Sequence, residues 1–342
     1  MLNQLPWSTF LMLALALLAV SCTSARRQTP IALVSAPVWP LPPAPPRIEY
    51  LRSLRGPTDI GQKPSMFKRL SRWITGDDLE SLALQKPFGL ALDESGNLCI
   101  TDTSANRVYY CDFARKQWRY YPAAGKVRFV SPVAVARQKG TFYVADSELG
   151  KVFAFREDGK LVWEQGAPLR RPVGLAIVDG VLAVVDSQAH AIFLFDLQGR
   201  PRCSFGERGG APGQFNFPTH IAADRQGHLL VTDSMNCRVQ VFDLNGNLIT
   251  LFGSNGDTSG HFGRPKGLAV DTFGHIYVAD AVFDNFQIFD PAGQFLLNVG
   301  RTGSGPGEFG LPAGVAIGSD NQIYVADGYN HRVQVFKYIG ER

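Results

Sequence analysis

The chain has 342 residues, 45% of them hydrophobic and 19% charged, with 35 Gly and 22 Pro. That apolar share is ample for a core and excludes a chain that stays disordered, while the Gly and Pro content suits many turns. The formal net charge of +4 falls far short of the basic stripe by which proteins hold nucleic acid.

Residues 7–20, WSTFLMLALALLAV, form an apolar run too short to rest comfortably as a spanning helix, and Ala19, Val20 and Ser21 lead straight to Cys22. An apolar run, small residues and a processing site in that order predict a secretory signal peptide over 1–21. The stretch resembles the bacterial lipobox, which implies that Cys22 is lipidated and becomes the mature N-terminus. Thr23 stands where an Asp would signal inner-membrane retention, so the implied address is the outer membrane, on its periplasmic or surface side. Residues 22–47 contain PVWPLPPAPP and read as an extended polyproline tether. Further on, Met66, Phe67, Leu70, Trp73 and Ile74 fall at helical spacing with Lys68, Arg69 and Arg72 opposite and Gly76 as a stop. This predicts an insert over 64–76 with one short helix near 65–75. Its apolar stripe is expected to pack on the folded body as a cap, with a membrane surface as the alternative.

The rest of the chain repeats itself. Six copies open at Pro87, Pro132, Pro172, Pro218, Pro265 and Pro312, spaced by 45, 40, 46, 47 and 47 residues, and their second apolar runs close at Asp102, Asp146, Asp186, Asp233, Asp280 and Asp327. Each copy holds three short, nearly continuous apolar runs, as strands buried on both faces do. A period in the forties with three or four strands per unit is the sequence form of a β-propeller. The last copy ends soon after Phe336 without the outer strand that the others carry, while Ile48 to Gly56 (IEYLRSLRG) resembles such a strand with no copy of its own. The segment 48–56 is therefore expected to fill the fourth place in the last blade and close the ring, removing two exposed edges.

The wording of the copies, PKGLAVDTFGHIYVAD (265–280), LPAGVAIGSDNQIYVADGYNHRVQVF (311–336) and the linker GERGGAPGQFNFP (206–218), resembles NHL repeats. The resemblance covers about residues 87–336 and is sharpest in copies four to six. It implies an all-β, six-bladed NHL-type propeller over 48–342. Together with the lipobox, spacer and closing strand, it further resembles a group of bacterial lipoproteins with this fold.

Candidate chemistry is sparse. NHL-like peptidyl-hydroxyglycine lyases hold zinc with three His, each just after a blade-opening Pro, but here those positions are Phe88, Val133, Val173, Thr219, Lys266 and Ala313, none of them an imidazole. His220 sits one place later and alone; the other His fall in turns or linkers. No blade begins with the Glu that gluconolactonase-type propellers place on their metal. Asp102, Asp233 and Asp327, each followed five residues on by Arg107, Arg238 and Arg332, read as structural clasps, since acid–base chemistry needs two unequal environments rather than several similar ones. The Gly-rich linkers lack a following Gly-Lys-Ser/Thr and are not phosphate loops. RKQWRYYP (115–122) interleaves cations with aromatics, as in the RNA-binding animal NHL propellers, but on one outer strand only. No metal, cofactor, catalytic residue or nucleic acid is therefore expected.

Two further expectations concern single residues. Cys99 and Cys111 replace the aromatic or aliphatic pair that other copies carry three before and nine after the recurrent Asp; the joint change points to a disulfide, with two buried thiols as the alternative. In a propeller, the loops after the recurrent Asp and those between blades share one face, and here they carry the least repetitive residues, so Phe283 and Tyr329 are candidate partner-binding aromatics, with local caps over the blade ends as the alternative. The function expected is a membrane-anchored binding or scaffold module in the cell envelope, its partner an unknown envelope protein or ligand. A propeller hydrolase or lyase, lactonase-like or amidating-lyase-like, is the alternative.

Overall fold

The computed structural model describes residues 36–63 and 82–340. Cys22, the signal peptide, the insert at 64–76 and its helix lie outside the described residues.

Five sheets of four antiparallel strands and one of five make six blades. Their innermost strands, Pro87–Leu92, Pro132–Gln138, Pro172–Val178, Ile221–Ala223, Pro265–Val270 and Pro312–Ile317, touch one another in an unbroken cycle, blade 6 returning to blade 1. The second and third strands of a blade are buried on both faces, as Leu229–Asp233 and Arg238–Phe242 are, whereas an outer strand such as Phe295–Val299 alternates between half-buried and exposed until the buried Val299. Near-continuous apolar runs follow directly from sheets stacked on two sides.

The core is accordingly divided into six clusters, one between each pair of neighbouring blades. Between blades 5 and 6, for example, Phe286 meets Phe336 edge to face at 5.4 Å, with Phe309 from the linker against Phe336 at 5.9 Å. Such pairs add about 0.5–1.5 kcal/mol beyond area burial.

The ring is closed by the N-terminal strand. Ile48–Leu54 pairs antiparallel with Arg332–Tyr338, from Ile48 opposite Tyr338 to Leu54 opposite Val333, and both Ile48 and Leu54 are fully buried. The Pro-rich segment ahead of it departs from a free tether: Val38–Trp39 forms a fifth strand on the same sheet. Trp39 gains an edge-on contact with Phe336 at 5.8 Å. Its indole also lies against Gly307, at φ +73°, where a Cβ would collide with the ring. A large aromatic between prolines thus finds a seat that an extended spacer would leave unused.

Candidate functional site

The six recurrent Asp are fully buried, and each is tied by backbone N–H groups of the linker ahead of its own blade. Asp102 accepts from Gln85 and Lys86 at 2.7 and 3.0 Å, and Asp280 from Gly263 and Arg264 at 2.7 and 3.0 Å. Asp146 and Asp186 do the same with Val130, Ser131, Arg170 and Arg171. Asp233 and Asp327 each take one linker amide, from Asn216 and Gly310, and add the guanidinium Nε of Arg238 at 2.8 Å and Arg332 at 2.7 Å. Arg107 donates to the Ala105 carbonyl at 3.1 Å. A buried carboxylate so supplied is a structural anchor.

What the clasp holds in place is a face. The fourth residue after each Asp adopts a left-handed backbone, φ lying between +49° and +62° at Asn106, Gly150, His190, Cys237, Asp284 and His331. Asn, Asp, Gly and His tolerate that region best, which accounts for two otherwise puzzling histidines. Several of these residues also stitch to the next blade: His190 Nδ1 accepts the Phe217 N–H at 3.2 Å, and Asp284 accepts the Leu311 N–H at 2.7 Å. Phe217 and Leu311 are themselves left-handed, at φ +49° and +52°, an uncommon and strained state for bulky residues just before a Pro.

Two rows of side chains result. The residue before each Pro gives Lys86, Ser131, Arg171, Phe217, Arg264 and Leu311. The second residue after each Asp is exposed in every blade and gives Ser104, Glu148, Gln188, Met235, Val282 and Tyr329, polar over blades 1–3 and apolar over blades 4–6. Among the described residues, six large apolar side chains are exposed on this set of loops, Val130, Phe217, Met235, Val282, Leu311 and Tyr329, against Leu41, Phe273 and Ile339 at the opposite end.

At the centre of this face the innermost strands crowd together. A Cβ at Gly267 or Gly314, two places after the Pro, would strike the backbone of the next blade, so this position requires a small residue. Blade 2 places Ala134 here, whereas blade 4 places His220, a buried residue whose two ring nitrogens have no hydrogen-bond partner. It faces the Phe88 ring at 5.6 Å. Burial, with Lys266 nearby adding to it, lowers the imidazole from 6.5 to about 3, so it is neutral at physiological pH. Beside it, between blades 5, 6 and 1, lies a pocket of 220 Å³ lined by Lys86, Phe88, Arg264, Lys266, Val282 and Tyr329 among others. Lys266 Nζ lies 5.5 Å from the Phe88 centroid and Lys86 Nζ 5.7 Å from that of Tyr329. Burial, then Arg264 and Lys86, holds the half-buried Lys266 ammonium below the usual lysine range. None of these three cations makes an ion pair among the described residues.

A pH prediction follows from His220. The unfolded chain protonates this residue near 6.5 and the folded chain only near 3, so its contribution is present above the unfolded value and lost as pH falls, by up to about 1.4 kcal/mol per pH unit. In His220→Ala, with the side chain blade 2 already carries, the acid slope should flatten relative to wild type. Urea unfolding between about pH 6 and pH 4 checks this; parallel profiles would contradict it.

The residues singled out in the sequence fare differently. Tyr329 is 62% exposed and walls the pocket. Phe283 is partly buried with its ring against Gly263, and it is the preceding Val282, 56% exposed, that projects. The expected disulfide is corrected: Cys99 and Cys111 are free thiols. Asp102 lies opposite Arg107, which puts Cys99 opposite Tyr110 and Cys111 opposite Leu98. A one-residue offset across a hairpin points the two side chains to opposite faces; Cys99 packs between blades 1 and 2, Cys111 between blades 6 and 1, and burial pushes both thiols well up. In the 115–122 stretch, Trp118 and Tyr121 are buried in inter-blade clusters rather than offered for stacking. Lys86, Arg264, Lys266 and His220 are not recognisable as a group in the sequence because they come from two blades and two linkers. Their shared register about the Pro was the available signal.

The NHL repeat family matches residues 215–242 and 309–336, in blades 4 and 6. A search of curated protein sequences gives no match. Similar solved structures include a protein of unknown function from Bacteroides thetaiotaomicron, 14% identical over 76% of this chain and 71% of that one, TM-score 0.59. They also include virginiamycin B lyase from Staphylococcus aureus, 15% identical over 75% and 96%, TM-score 0.55, and the hydrazine synthase of Kuenenia stuttgartiensis, 14% identical over 75% and 97%, TM-score 0.56. At such identities the likeness is one of fold.

Proposed function

We propose that this chain, which carries NHL repeats within a six-bladed propeller, is an interaction module of the cell envelope, anchored to a membrane through a lipidated Cys22 and binding its partner with the face described above. The observation that carries the reading is the uneven distribution of exposed apolar side chains, concentrated at one end of the ring over blades 4–6. Exposed apolar groups gathered beside unpaired cations mark contact surfaces more often than scattered ones do. The repeat leaves these positions free to vary, and the buried Asp clasps keep them rigid, which limits the ordering cost of binding.

The test is a comparison of variants after extraction from membranes in detergent. Met235→Ser combined with Val282→Ser and Tyr329→Ser should fold as wild type yet lose the partner that wild type retains, while Phe273→Ser on the opposite turns keeps it. Cys22→Ser should move the protein to the soluble envelope fraction, and the wild-type N-terminal peptide should carry acyl mass. A partner footprint on the opposite turns would overturn the binding face, and membrane association without acylation would overturn the anchor.

A lyase or hydrolase reading draws on one observation, the buried and unpartnered His220 at the channel, since the Staphylococcus aureus virginiamycin B lyase is described as catalytically inactive when a His is replaced by Ala. An imidazole held near 3 is a poor base at neutral pH. Among the described residues no three His, Cys, Asp or Glu gather to hold a metal. A metal assay and a screen against lactones test this reading directly.

A further inference from the structure

The pocket between blades 5, 6 and 1 gives the binding face a chemical preference. We infer that it takes a carboxylate carrying an apolar group beside it, as the C-terminal residue of a protein partner does; this rests on the binding-module reading and names what the partner presents. Lys86, Arg264 and Lys266 line one cavity with no acidic residue among its walls, while Phe88, Val282, Leu311, Pro312 and Tyr329 supply apolar surface within the same 220 Å³. Asp284, which holds the backbone of Leu311, already uses both oxygens, on the Leu311 N–H and on the Thr302 hydroxyl. Asp102 and Asp280 fix the backbone of Lys86 and Arg264, so two of the cations stand on clasped backbone. Behind them lies His220, buried with both ring nitrogens unpaired, its ring 5.6 Å from that of the pocket-lining Phe88.

Size decides between a whole ligand and an end group. Sites for complete small ligands usually span roughly 300–1,000 Å³, so 220 Å³ suits a single terminal residue whose remainder lies across the apolar row outside. Burial first, and then repulsion from Arg264 and Lys86, lowers the Lys266 ammonium; an anion here offsets that repulsion, and capture of a chain-terminal carboxylate by fixed donors is a known mode of peptide recognition. The Arg264 guanidinium supplies the planar fork that matches a carboxylate.

Titration calorimetry on the full chain tests this with four probes: acetyl-Ala-Ala-Leu, its C-terminal amide, hexanoate and inorganic phosphate. The peptide acid should bind, more weakly at high salt, and the amide should bind at least about tenfold more weakly, as removal of a charge-assisted contact does. Lys266→Met and, separately, the exposed Arg264→Gln should each weaken the acid by about tenfold with unchanged melting temperature. Hexanoate binding as tightly as the peptide would support the site and assign it to free acids. Equal affinity for acid and amide, phosphate binding as tightly as the peptide acid, or acid affinity untouched in both variants would overturn it. So would no binding of the peptide acid at up to about 10 mM. If the peptide acid fails while the Met235, Val282 and Tyr329 variant still loses its partner, this inference falls and the binding face stands.

Discussion

Asp327→Ala should destabilise the propeller by about 3–5 kcal/mol, the cost of leaving a buried guanidinium without its charge partner. The Arg332 side chain is 2% exposed and its Nε lies 2.7 Å from Asp327 Oδ2. The same carboxylate accepts the Gln334 amide at 3.0 Å, the Asn330 amide at 2.9 Å and the Gly310 N–H at 2.8 Å. Arg332 in turn donates to the carbonyls of Gly305 and Glu308, both at 2.8 Å, so the substitution also frees the linker between blades 5 and 6. Calorimetry should register a drop of roughly 10 °C in Tm. Asp327→Asn, which keeps an acceptor and loses the charge, should fall between. A loss under about 1 kcal/mol in the Ala variant would mean that the pair is no better than a surface ion pair.

Deleting Ile48–Leu54 should have a comparable or larger effect by a different route. Two side chains at 0% exposure, Ile48 and Leu54, leave the clusters on either side of blade 6, each burial being worth about 1.5–3 kcal/mol. The strand Arg332–Tyr338 becomes an unpaired edge, which invites pairing with a second chain. The expected result is a lowered, broadened melting transition together with concentration-dependent oligomers in size-exclusion chromatography. A monomer with wild-type Tm would show that the strand is not what closes the ring. Ile48→Ala, with an expected cost of about 2–5 kcal/mol, tests the packing part alone.

The fold was legible because its two markers, the opening Pro and the closing Asp, answer to backbone requirements that every blade shares. A Pro starts the innermost strand in five blades and precedes it by three residues in blade 4, and a buried carboxylate ties the linker amides. The strand Ile48–Leu54 was legible as an outer strand without a blade. Single residues were harder, because neighbours in sequence part company at a turn. In the 3-10 turn Gly328–Asn330 the middle residue, Tyr329, faces solvent, but in the loop after Asp280 the same place belongs to Val282, and the larger Phe283 turns inward. Counting from the Asp put Cys99 and Cys111 on one hairpin, yet only the register, Cys99 opposite Tyr110, reveals that they face apart. The cationic pocket drew on Lys86, Arg264 and Lys266, a convergence that exists only once the ring has closed.

That closure sets an order of events in time. Ile48 pairs with Tyr338, so among the described residues one of the first strands to be synthesised meets a partner that is among the last. Loop-closure entropy makes such a long-range pairing slow, whereas hairpins such as Leu98–Asp102 with Arg107–Asp112 need only their own short stretch of chain. Blades 1 to 5 thus have the means to assemble in sequence, each stacking on the one before, while Ile48–Leu54 waits for Arg332–Tyr338. During that interval the edge that will meet Arg332–Tyr338 stays open, the state most exposed to proteolysis and to mispairing with another chain. Completion of the circle is the step that commits the molecule.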